Sequence, residues 1–200
     1  MSATNPTARL QCRCATVQGT VNDASPARVN RVICYCDDCQ AFARFLDRLD
    51  LLDSSGGSDI VQIAAGCLKI EQGEEAIRGV RLSEAGTYRW YSSCCNTPLA
   101  NMGGVDFPAL GIHSTAFGGG GQNLDALFGC PIGGIRGEYA IGGAPPGSNG
   151  LPLRLILRAI PKVVLWRFGS KGKPNPFVSH PSKDVRYPVA TLSEIEQSAL

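Results

Sequence analysis

The side chains most able to do chemistry in this chain are its cysteines, of which there are nine in 200 residues. Cys12 and Cys14 form a C-x-C pair. A C-x-C-x-x-C motif, which we call the triad, follows at Cys34, Cys36 and Cys39. Thiolates spaced two or three residues apart can face one ion without straining the backbone, and an odd number of cysteines fits poorly with a closed set of disulfides. The sequence therefore predicts metal binding.

The triad offers three thiolates from one short segment and leaves the fourth zinc position to a distant residue, to water or to a substrate. Three protein ligands and an open position are typical of catalytic zinc, whereas structural zinc has four protein ligands. An iron–sulfur cluster is the alternative, but such clusters usually take four cysteines in spacings that this chain lacks. Ligand number and softness favour zinc, as one or two ions.

Three cysteine motifs together resemble the glutathione-dependent formaldehyde-activating enzyme and centromere protein V family. They are C-R-C at 12–14, C-Y-C-D-D-C-Q at 34–40 and C-N-T-P-L at 95–99. The resemblance covers roughly residues 9–102, and it implies an Mss4-like fold, which is a twisted, mainly β arrangement built around zinc. It also implies carbon–sulfur lyase chemistry.

Carried over by position, the resemblance implies two zinc sites. Cys12, Cys14 and Cys95 match ligands of a closed structural site. The triad matches the second, catalytic site, which in the family accepts the sulfur of glutathione.

The turn near Cys95 departs from the family pattern. The family's remaining structural cysteine would fall at Ser92, Cys94 lies directly beside Cys95, and Asn96 replaces the usual glycine. Neighbouring side chains do not easily point at one ion. The site therefore closes through Cys94 in an unusual turn, through another residue, or not at all.

Two functions follow from these motifs. In the first, zinc at the triad holds a thiol cosubstrate such as glutathione as a thiolate, for addition to a small aldehyde or for the reverse cleavage of the carbon–sulfur bond. Asp37 and Asp38 then orient the ligands or stay solvated, with Asp37 as a helix N-cap. In the second, the zinc is purely structural and the domain is a non-catalytic binding module, an alternative motivated by the altered 92–96 motif.

The remaining candidate ligands lack ligand spacing. Cys67 is expected to be a small buried hydrophobic residue, and Cys130 is expected to be unpaired. His113 and His180 are expected to be ordinary hydrogen-bonded residues. His113 is the first candidate if a non-cysteine ligand is needed.

Short β-type runs separated by turn residues predict a mainly β, sandwich-like fold. The runs are 15–21, 29–33, 60–64, 76–82 and 87–91. One helix is predicted after Asp37, because the apolar residues Phe42, Phe45, Leu46 and Leu49 share one helical face. Cys39 would then lie in its first turn, where the helix dipole favours a thiolate.

Composition divides the chain into three regions. Residues 9–102 form the zinc-binding core, and residues 103–150, with 15 of the 24 glycines, are interpreted as a long surface insertion within the same domain. Residues 151–200 are interpreted as an amphipathic helix and an extended tail. A short final helix is predicted from Ser193 and Glu196.

The predicted C-terminal helix, 151–168, is bent or restarted at Pro161. Its apolar stripe is expected to pack onto the domain, with a membrane surface as the alternative. Its basic residues are expected to be solvated or to meet the carboxylates of glutathione. The stripe consists of Leu153, Ile156, Leu157, Ile160 and Val164, and the basic residues are Arg154, Arg158 and Lys162.

Charge and hydropathy exclude several classes of protein. The 19 basic and 17 acidic residues give a net charge of +2, so nucleic acid is not an expected partner. The first ten residues lack the apolar core of a secretory signal, and no uncharged run approaches the ~20 residues of a membrane span. A reducing, cytoplasmic location is therefore expected.

Overall fold

Strands dominate the computed structural model, which describes residues 6–118 and 121–192. The strands in these residues are β1 (Ala8–Gln11), β2 (Gln18–Val21), β3 (Asn30–Cys34), β4 (Ser58–Ala64), β5 (Leu68–Gln72), β6 (Ile77–Arg81), β7 (Tyr88–Ser92), β8 (Thr97–Met102), β9 (Ala109–His113), β10 (Gly134–Ile135) and β11 (Val189–Thr191). The α-helices are α1 (Asp37–Phe45), α2 (Leu124–Phe128) and α3 (Leu153–Phe168). The prediction of a mainly β fold is confirmed. The final helix predicted from Ser193 lies outside the described residues.

The strands form two sheets. The small sheet has the order β1-β2-β5, and the large sheet has the order β10-β3-β4-β9-β8-β7-β6-β11. Neighbouring strands are antiparallel except at the edges of the large sheet, where β10 pairs with β3 and β11 pairs with β6 in parallel. The main core combines buried side chains of both sheets, such as Leu10 and Val21 with Ile63, Trp90 and Ile112.

Each predicted β-run contains a strand, but the first begins late. The run from Ala15 becomes β2 only at Gln18, because Ala15 has a φ of 63° in the turn after β1. Contrary to the expectation of a surface insertion, the glycine-rich region supplies β9, which pairs with β4 and β8 inside the large sheet. The three composition regions remain a prediction as domain limits.

Helix α1 covers part of the large sheet. Phe42 and Leu46 are buried in a cluster with Val80, as the helical periodicity predicts. Two details of that prediction are wrong. Cys36, not Asp37, is the N-cap residue, and the helix ends before Leu49, which is 62% exposed.

Helix α3 lies on the domain with its apolar stripe outward, so the expected packing of that stripe is wrong. The helix continues through Pro161. Arg158 donates to the carbonyl oxygen of Pro26, and Lys162 Nζ donates to the carbonyl oxygen of Val29 at 2.6 Å. Burial lowers the pKa of Lys162 to about 8. Arg158 and Lys162 are therefore bonded to the domain and do not form a purely solvated face, while a contact of these basic residues with a substrate stays a prediction.

None of the helices in residues 6–118 and 121–192 has the length and apolarity needed to cross a membrane.

Arg31 on β3 ties the large sheet to α2. Its guanidinium binds Asp59 at 2.7 Å and Asp125 at 2.6 Å, and the Arg31 side chain is only 9% exposed. We expect Arg31→Met to lower the free energy of unfolding by about 2–3 kcal/mol, because Asp59 would keep a half-buried charge without a partner. Chemical denaturation measures this effect. The exposed pair of Arg186 and Glu74 provides the control. Arg186→Met should lower the free energy of unfolding by about 1 kcal/mol or less.

Candidate metal centres

Four cysteines gather in one cluster, which we call the closed cluster. Cys12, Cys14, Cys94 and Cys95 place their Sγ atoms within 4.8 Å of one another. The Sγ of Cys94 lies 3.9 Å from that of Cys12, 3.0 Å from that of Cys14 and 3.9 Å from that of Cys95. A tetrahedron of zinc–sulfur bonds requires sulfur atoms about 3.8 Å apart. The distances from Cys94 to Cys12 and to Cys95 match this spacing, and the distance to Cys14 is shorter. They are far too long for disulfide bonds.

Two tight turns, one from each sheet, bring these sulfur atoms together. Cys12 and Cys14 lie in the turn between β1 and β2, where Cys12 N donates to Val17 O at 3.0 Å. The other two cysteines lie in the turn between β7 and β8. Asn96 ends that turn with a φ of 52°, a left-handed conformation that asparagine tolerates better than most residues. Cys94 and Cys95 therefore both reach the cluster, although they are neighbours in sequence.

The β7–β8 turn is also held to the end of α1. The Nδ2 of Asn96 donates to the carbonyl oxygen of Leu46, the C-cap residue of α1, at 3.1 Å. The N-cap of the same helix is Cys36 of the triad. The two cysteine clusters thus lie at opposite ends of one nine-residue helix.

Hydroxyl groups support the sulfur atoms of the closed cluster. The Sγ of Cys95 lies 3.3 Å from Ser92 Oγ and 3.2 Å from Thr97 Oγ1. Burial raises the pKa of Cys95, but hydrogen bonds from Ser92 and Thr97 outweigh it and bring the pKa to about 6. Thr16 lowers the pKa of Cys14 in the same way, whereas burial raises that of Cys94 to about 12. Part of the cluster is therefore ionised before any cation binds.

The triad forms the second cluster, which we call the open cluster. Cys34 ends β3, Cys36 caps α1 and Cys39 lies in the first turn of α1, as predicted. The Sγ atoms of Cys34 and Cys36 are 3.4 Å apart, and all three lie within 4.8 Å of one another. Among the described residues, no fourth cysteine, histidine or carboxylate atom completes this group.

Hydrogen bonds within the open cluster favour the ionised form of Cys36. Hydrogen bonds from Cys34 and Cys39 lower the pKa of Cys36 to about 2, and the same bonds raise the pKa values of the other two thiols. Arg89 contacts the open cluster and the residue beside it. Its Nη1 lies 3.9 Å from Cys39 Sγ, and its Nη2 donates to Asp38 at 3.2 Å. Asp38 is thus partnered rather than freely solvated. The cluster is a preformed anionic sulfur site.

Both clusters fit a soft divalent cation. All nine cysteines are free thiols, and seven of them belong to the two clusters. Thiolate sulfur is the donor that zinc and similar metals select over magnesium or calcium. Each cluster can therefore hold a metal ion, one with four sulfur ligands and one with three.

A model of a family of unknown function (DUF6151) matches residues 1–147, which include both clusters. The chain belongs to this family. No curated protein matches the sequence. A Rhodobacter sphaeroides protein, solved as a Northeast Structural Genomics target, is similar over 56% of this chain and 88% of its own, with 14% identity and a TM-score of 0.38. A likeness of that size carries no argument about function.

Next to the open cluster, this DUF6151 family member has a row of buried and half-buried polar side chains across the large sheet. Ser58, His113, Asn101 and Arg89 line a cavity of about 10 Å³ together with Cys39. Arg89 Nε and His113 Nε2 have no hydrogen-bond partner there. Burial lowers the pKa of His113 to about 4, so the imidazole is neutral. The sequence gives no signal for this row beyond strand alternation, because only the strand register brings these residues together.

Among the residues that the structure describes, the other sequence candidates are members of neither cluster. His113 lies in the cavity beside Cys39 but is not one of the grouped ligands, and its Nδ1 is paired with Thr115 Oγ1 at 2.9 Å. Cys67 is buried against Ala64 and Trp166, as expected of a small hydrophobic residue. Cys130 is exposed, and within residues 6–118 and 121–192 His180 joins no group of possible metal ligands.

Ser92 is expected to tune the closed cluster although it is not a ligand. We expect Ser92→Ala to weaken zinc binding there about tenfold, because the Cys95 sulfur loses a hydrogen bond that stabilises its ionised form. Competition with a chromophoric zinc chelator measures the affinity. Ser93→Ala is the matched control, since the exposed Ser93 hydroxyl bonds only to Ala76 O. Equal affinities for the two variants would contradict the assigned role.

Proposed function

We propose that this chain is a zinc-dependent enzyme of the carbon–sulfur lyase type, acting on the adduct of a thiol such as glutathione and a small aldehyde. The difference between the two clusters carries the proposal. The closed cluster gathers four sulfur atoms, whereas the open cluster gathers three. Four thiolates saturate a tetrahedral ion, but three leave one position for a substrate.

Zinc is the proposed metal at both clusters. The sulfur-only donor sets and the spacing of the closed cluster support it. The cysteine motifs support a relationship to the glutathione-dependent formaldehyde-activating family and, with it, an Mss4-like fold. A reducing compartment such as the cytoplasm suits a chain whose thiols are all free.

The chemistry assigned to the open cluster is thiol activation. Zinc held there would bind the sulfur of a thiol cosubstrate and favour its ionised form. The triad cysteines hold the metal, and Arg89 keeps Cys39 and Asp38 in place. The substrate sulfur bonds to the aldehyde carbon, the carbonyl π pair moves to oxygen, and that oxygen takes up a proton. The reverse direction breaks the carbon–sulfur bond and returns thiol and aldehyde.

X-ray absorption of the zinc-loaded chain tests this proposal together with elemental analysis. Two zinc ions per chain are expected, with an average of about 3.5 sulfur neighbours per zinc. Added glutathione should raise that average to about 4, while S-methylglutathione, which has no free thiol, should leave it unchanged. Consumption of formaldehyde or another small aldehyde should require both the protein and glutathione.

A non-catalytic binding module is the alternative. It was motivated by the altered 92–96 motif, yet four sulfur atoms gather at the closed cluster despite Ser92. The altered 92–96 motif is therefore not a sign that the closed cluster has lost its ability to bind metal. The alternative would gain support from a complete four-ligand shell at the open cluster that glutathione does not change.

A further inference from the structure

Helix α3 presents a long apolar face to solvent. Five side chains on this face lie at positions i, i+4, i+7, i+11 and i+15, which fall within an arc of roughly 80° on a helical wheel. They are Leu153, Leu157, Ile160, Val164 and Phe168. Leu157 is 67% exposed and Phe168 is 87% exposed. Contiguous exposed apolar surface of this kind marks an interaction site more often than chance exposure.

The orientation of α3 is set by its other side. Leu155 and Trp166 are buried against the domain, and the hydrogen bonds of Arg158 and Lys162 to main-chain carbonyls lie on that side too. Rolling the helix to bury its stripe would break those bonds and expose Trp166. The apolar face therefore stays outward in the folded chain.

The exposed face extends beyond the helix. Phe107, 43% exposed, lines a shallow groove with Val164, Arg167 and Phe168. Two aromatic rings thus stand at the C-terminal end of the apolar face. We call the five stripe residues and Phe107 the α3 face.

Charge indicates what covers the α3 face. Between Leu151 and Lys173 the sequence has six basic residues and no acidic one. Arg154 and Arg167 are exposed, and they fall on opposite borders of the apolar arc. A second copy of the chain would bring together two helices that carry only positive charges. On an anionic lipid surface, by contrast, the acyl chains can bury the apolar stripe, and the lipid phosphates can bind the arginines on both sides of it.

We propose that the α3 face docks this chain on an anionic membrane surface, with α3 parallel to the bilayer and its stripe among the acyl chains. The helix is already formed and held in place, so binding requires no folding step. The proposal does not depend on the chemistry assigned to the open cluster. It describes attachment to one leaflet and involves no membrane-spanning segment.

Vesicle flotation with the zinc-loaded full chain tests the proposal. Vesicles of phosphatidylcholine with about 30% phosphatidylserine should carry the protein, and phosphatidylcholine alone should carry far less. The variant Leu157→Ser/Phe168→Ser should bind at least about tenfold more weakly, because two inserted apolar side chains are lost. Arg154→Gln/Arg167→Gln should weaken binding about fivefold per arginine at low salt.

Leu49→Ser is the matched control, because Leu49 is as exposed as Leu157 but lies outside the α3 face. It should bind like the unchanged chain, and all variants should keep their melting temperature and zinc content. Failure to float with the anionic vesicles would overturn the proposal, as would equal binding to both kinds of vesicle. A stable dimer that Leu157→Ser/Phe168→Ser dissociates would overturn it in favour of a second copy as the occupant.

Discussion

Replacing Cys12 by serine is expected to lower the free energy of unfolding by about 5 kcal/mol or more and to reduce bound zinc to one ion or none. Cys12 is 1% exposed and belongs to the turn that joins the small sheet to the closed cluster. Metal binding to structural sulfur sites contributes on the order of 10 kcal/mol, so loss of one ligand removes a large share of it. For a chain of this size, the melting temperature should fall by about 10 °C or more. Calorimetry and elemental analysis measure both effects.

Cys67→Ser is the control for this experiment. Cys67 is also buried but lies in neither cluster, so its replacement should cost only about 1–2 kcal/mol and leave the zinc content unchanged. If Cys12→Ser behaved like Cys67→Ser, the closed cluster would not hold a structural ion.

Replacing Cys36 by serine is expected to abolish thiol-dependent aldehyde consumption, with a loss of at least about 100-fold. Cys36 lies in the middle of the triad and accepts the hydrogen bond of Cys34, which lowers the pKa of Cys36. Its hydroxyl replacement cannot supply a thiolate ligand, so one zinc ion should be lost and one retained. The melting temperature should fall less than in Cys12→Ser, because the closed cluster and the core between the sheets stay intact.

Cys130→Ser controls for loss of a thiol in general. Cys130 is exposed and outside both clusters, so the variant should keep full activity and both ions. Aldehyde consumption by Cys36→Ser at the unchanged rate would remove the open cluster from the reaction. Retention of two zinc ions by the same variant would show that Cys36 is not a ligand.

Local spacing alone predicted the open cluster, whereas the closed cluster was predicted from the family resemblance, which grouped Cys12, Cys14 and Cys95 and left the part played by Cys94 open. Three thiols within six residues must lie close together in any turn-to-helix segment, so the triad followed from the sequence. The joint use of Cys94 and Cys95 depends on the left-handed conformation of Asn96, and an asparagine is only a weak indication of that conformation. Arg89 was not predicted as a neighbour of the triad, and His113 was considered only as a reserve ligand, because strand register alone brings these two side chains close to Cys39.

The α3 face shows a different limit of sequence patterns. Periodicity identified an apolar stripe, but it cannot tell which side of a helix faces the domain. The orientation is set by hydrogen bonds from Arg158 and Lys162 to main-chain carbonyls. Because every residue has such a carbonyl, the sequence does not show which ones these side chains will bind. The glycine-rich region misled in a similar way. Gly111 lies within β9 opposite Asn101, where the antiparallel ladder overrides the weak strand preference of glycine.

The position of α1 gives the two cysteine clusters a thermodynamic connection. The N-cap residue of this helix, Cys36, belongs to the open cluster. The C-terminal end of the helix is hydrogen-bonded to Asn96, in the turn that holds Cys94 and Cys95. An ion bound at one end of α1 orders the helix and so restricts the cluster at the other end. Binding of the first ion should therefore raise the affinity for the second. By linkage, each ion must raise the affinity for the other by the same factor. Titration of the metal-free chain should therefore populate few half-loaded molecules. Cellular zinc supply would then divide the protein between empty and fully loaded forms.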